Sequence, residues 1–96
     1  MPADEQALMQ DMHRAARAKA LLEDETLMGA FEALREQYLK AWEATAPGDT
    51  TGREKLYLAM KTLPAVRVNL ETLLMNGSIA VKQLANLEED RRLKNR

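Results

Sequence analysis

Two apolar stripes at helical spacing, divided by one sharp break, constrain this chain more than any other feature. Leu27, Phe31, Leu34, Tyr38 and Trp42 form the first, and Leu56, Met60, Leu63, Leu70 and Leu74 the second. Steps of three, four or seven residues keep side chains on one face of a helix, whereas a strand needs alternation at period two. Between the stripes lies Ala46-Pro47-Gly48-Asp49-Thr50-Thr51-Gly52, where proline, glycine and aspartate together dictate a turn. Two apolar faces on either side of a short turn predict a long antiparallel helical hairpin. The fold class expected is all-α: a small bundle built on that hairpin, with flanking N- and C-terminal helices.

The remaining punctuation places four helices in a single domain over residues 1–96. The first is expected at about 4–22, with Asp4 and Glu5 at the positive end of the helix dipole and Arg14, Arg17 and Lys19 toward the other. Its stripe of Leu8, Met12, Ala15, Ala18 (or Lys19) and Leu22 is rich in alanine and buries little area, so this helix should be the least firmly held. Asp24 is a suitable N-cap for a second helix at about 25–45. Thr51-Gly52-Arg53-Glu54 matches a capping box and predicts a third helix from 52 to 76, ended by Asn76-Gly77 and kinked at Pro64. A fourth helix follows at 78–92.

Composition narrows the function classes. Hydrophobic residues make up 46% and charged residues 30%, with alanine, leucine and methionine, all good helix formers, prominent among the apolar set. The absence of cysteine excludes disulfides and thiolate chemistry. Asp4 and Glu5 stand where a secretory signal would carry positive charge, and no apolar run approaches the roughly 18 residues of a membrane span. The expectation is a protein that is not secreted by a signal of its own and does not enter a membrane.

A search for chemistry yields little. His13 is the one histidine, and its neighbours at helical offsets, Met9, Gln10, Ala16 and Arg17, bring no second metal ligand. Glu23-Asp24-Glu25 lacks the spacing of a calcium loop, and Gly48 and Gly52 do not form a phosphate-binding loop. No catalytic residue, cofactor site or metal site is expected, and the chain reads as a non-enzyme.

Binding is the better expectation. Tyr38, Trp42 and Tyr57 are candidate partner contacts, because tyrosine and tryptophan are enriched where interfaces concentrate their energy. Arg14, Arg17 and Lys19 form one basic cluster, and Arg91, Arg92, Lys94 and Arg96 another, both able to neutralise phosphates. Residues 1–48 carry five lysines and arginines against nine acids, a balance of −4, while residues 49–96 carry nine against six, a balance of +3. That asymmetry can set the acidic half of one copy against the basic half of another.

The run Leu21-Leu22-x-Asp24-x-x-Leu27-x-x-Ala30-Phe31-x-x-Leu34-x-x-x-Tyr38-x-x-Ala41-Trp42-x-x-Thr45, followed by Arg53-Glu54-x-Leu56-Tyr57, resembles short all-helical proteins from the late gene clusters of tailed bacteriophages and prophages. The resemblance covers roughly residues 20–80, and Pro64 departs from its pattern. It implies a head, connector or packaging component that works in the bacterial cytoplasm during assembly or within the virion. Its partners would be further copies of itself or other assembly proteins. The alternative reading is a small nucleic-acid-associated protein using the two basic clusters.

Overall fold

The computed structural model describes residues 2–95 and is all-α, with no strand among the described residues. Three helices follow in order: α1 over Pro2–Leu22, α2 over Glu25–Ala44 and α3 over Thr50–Lys94. Local chemistry sets the boundaries. Asp24, in extended conformation at φ −76° and ψ 111°, accepts the Leu27 N–H on its carboxylate at 2.9 Å and caps α2. Thr45 ends it, extended at φ −69° and ψ 146°, with its hydroxyl donating to the Trp42 carbonyl at 2.6 Å.

The start of α3 corrects the capping box. Asp49, not Thr51, provides the cap: its carboxylate accepts the Gly52 N–H at 2.9 Å and its carbonyl accepts the Arg53 N–H at 3.1 Å. The helix consequently begins at Thr50.

The larger correction concerns the helices expected at 52–76 and 78–92. They are one element, α3, of 45 residues, and the backbone continues in helical form through both Pro64 and Gly77. Glycine ends a helix by adopting positive φ, and no described glycine does so. Gly77 serves close packing instead. It is buried, and a Cβ built there would overlap the Ala15 methyl and lie 3.4 Å from the Asp11 carbonyl oxygen. Among the described residues no separate C-terminal helix follows α3.

The chain forms two compact units. One comprises α1 as far as Leu21 with the part of α3 from Leu70 onward. Its centre is made of small residues: Ala15 and Ala18 of α1, and Gly77 and Ala80 of α3, are all buried, each pair three residues apart and therefore on one helix face. The helix read as the least firmly held thus supplies two of the three buried apolar side chains among the described residues. Alanine buries little area, but its small volume lets helix backbones approach closely. Near one end of this unit the Arg91 guanidinium donates to the Glu5 carboxylate at 2.5 Å.

The other unit comprises Leu22–Asn69. Here the large apolar residues of the two stripes are only half-buried: Leu27, Phe31, Tyr38 and Trp42 on α2, and Leu56, Met60 and Leu63 on α3. Leu34 is 37% exposed, and α2 contains no buried residue at all. The stripes exist as read, yet no fully buried large side chain results from them.

Candidate interaction surfaces

A cleft of about 480 Å³ opens in the Leu22–Asn69 unit. Met28, Phe31, Glu32 and Arg35 line it from α2, and Tyr57, Met60, Lys61, Leu63, Pro64 and Arg67 from α3. Its lining mixes apolar side chains with the charged groups of Glu32, Arg35, Lys61 and Arg67. The α2 side continues into a file of exposed glutamates, Glu25, Glu32, Glu36 and Glu43, whose spacing of seven, four and seven keeps them on a single face.

The three aromatic candidates have different surroundings. Tyr57 is 51% exposed and lines the cleft, with the Lys61 ammonium 5.4 Å from its ring centroid. Trp42 is half-buried and covered on one face by the Arg53 guanidinium, 4.1 Å from the ring centroid. That cation–π contact stabilises the end of α2 against the start of α3 by about 0.5–1 kcal/mol. Tyr38 is half-buried and lies outside the cleft lining.

The basic candidates do not act alike either. Arg14 and Arg17 are exposed and line a shallow concavity with Gln10 and His13, all four on one face of α1. Lys19 is exposed in the last turn of the same helix. In the C-terminal cluster Arg91 is already committed to Glu5. The hydrogen bond from Arg91 holds the Glu5 carboxyl below the usual carboxylate range, and the carboxylate in return pushes the guanidinium further up. Arg92 comes within 4.0 Å of the Glu89 carboxylate, Lys94 closes α3, and Arg96 lies outside the described residues. Positive charges at the end of α3 also complement its dipole, which gives this cluster a role in the helix itself.

The sequence reading missed most of the cleft. Met28, Glu32, Arg35, Lys61 and Arg67 flank the stripes instead of belonging to them, and the backbone effect expected of Pro64 says nothing of its place in the cleft lining. The legible signal was the adjacency of a charged file to an apolar stripe on α2. Among the described residues no group of three or more histidines or carboxylates is placed to hold a metal ion, and no helix is long and apolar enough to cross a membrane. No family model, curated protein or solved structure matches this chain.

Proposed function

We propose that this chain is a non-enzymatic helical interaction protein that completes its packing against another polypeptide, either further copies of itself or other proteins of an assembly. The observation that carries this reading is surface left uncovered. The chain exposes 7755 Å². A compact monomer of its mass exposes about 5,500 Å², and even two separate compact bodies of half that mass would expose only about 6,700 Å² together. Large apolar side chains stand in the open: Leu58 is 58% exposed, Val68 56% and Met75 64%. Apolar surface left open on this scale is stabilised when a partner covers it.

The finer reading is a pair of antiparallel helices, α2 and the first part of α3, presenting the open cleft to that partner. Residues early in α2, Met28 to Arg35, share the cleft with residues from Tyr57 to Arg67, while Trp42 near the end of α2 meets Arg53 near the start of α3. Together with the resemblance to short helical phage proteins, this supports a place in virion assembly. A gene lying among portal, terminase or capsid genes is the expected setting.

Sedimentation equilibrium at micromolar concentration tests the reading. The expected mass exceeds the 10.8 kDa of one chain and persists as salt rises, because apolar packing is not weakened by screening. The alternative, nucleic-acid association, rests on Arg14 and Arg17 sharing one exposed concavity. A monomer that binds a short duplex and releases it steeply between about 50 and 200 mM salt would decide for that alternative.

A further inference from the structure

We draw no further inference here: the strongest candidate, the open cleft between α2 and the first part of α3 in the Leu22–Asn69 unit, is an unpartnered face, and nothing in the structure shows what covers it.

Discussion

Alanine substitution at two helical glycines should move stability in opposite directions, and the difference isolates what each glycine does. Gly29 sits mid-α2 with nothing within 4 Å of an added Cβ, so Gly29→Ala should stabilise by about 0.5–1 kcal/mol through reduced freedom of the unfolded chain. The same change at Gly77 brings a methyl group into Ala15. Overpacking of that kind costs about 1–3 kcal/mol and should outweigh the helix-propensity gain. Urea denaturation of the two variants checks both signs. Glu5 offers a pH test at the same scale. Its carboxyl lies below the ordinary range when folded because Arg91 donates to it. A lowered folded-state pKa contributes stability that is complete above the ordinary carboxylate value and is lost as pH falls through the lowered one. Glu5→Gln should therefore reduce the loss of stability on acidification, and a carboxyl titration followed by NMR should place Glu5 below an unstructured glutamate.

Among the elements, α3 carries the largest discrepancy with local sequence rules. It holds Pro64, which lacks the N–H that would bond the Met60 carbonyl, and Gly77, a typical terminator, yet it is helical over Thr50–Lys94. The flanking segments have apolar residues to bury on both sides of each interruption, and packing outweighs the local penalties. Pro64→Ala should consequently stabilise the monomer fold by up to about 3 kcal/mol, by restoring the missing donor and relieving the ring contact. Thermal and urea unfolding measure this. A loss of stability greater than about 1 kcal/mol would mean that the proline's contacts in the cleft matter more than its backbone cost.

For the molecule as a whole, the small buried set has a thermodynamic consequence. Ala15, Ala18 and Ala80 are the buried apolar residues among those described, and none of the large side chains is fully buried. Transfer of so little apolar area leaves a small margin over chain entropy. If association supplies the rest, the unfolding midpoint must depend on protein concentration, because a partner that binds only the folded state stabilises it by mass action. Raising the concentration about a hundredfold should shift the midpoint upward by an amount equivalent to about 2.7 kcal/mol per dimer. An unfolding midpoint that does not move over that range would contradict self-association.

The sequence by itself determined that the chain is helical and where α2 starts and stops: apolar residues at steps of three and four, Asp24 as a cap, and a Pro-Gly-Asp turn between the stripes. These signals are local, since hydrogen bonds within a few residues and a repeating side-chain period carry them. Tertiary structure decided what each residue is for. Whether Gly77 ends a helix or admits a neighbour depends on Ala15, which lies more than sixty residues away in the chain. Whether an apolar stripe becomes a core or an open cleft depends on what stands opposite it, and periodicity shows only that a face exists. For the same reason the pairing of Arg91 with the Glu5 carboxylate, eighty-six residues away in the chain, leaves no mark on the local sequence pattern. Periodicity is a property of one segment, whereas burial and pairing are properties of two segments brought together, and only the folded chain brings them together.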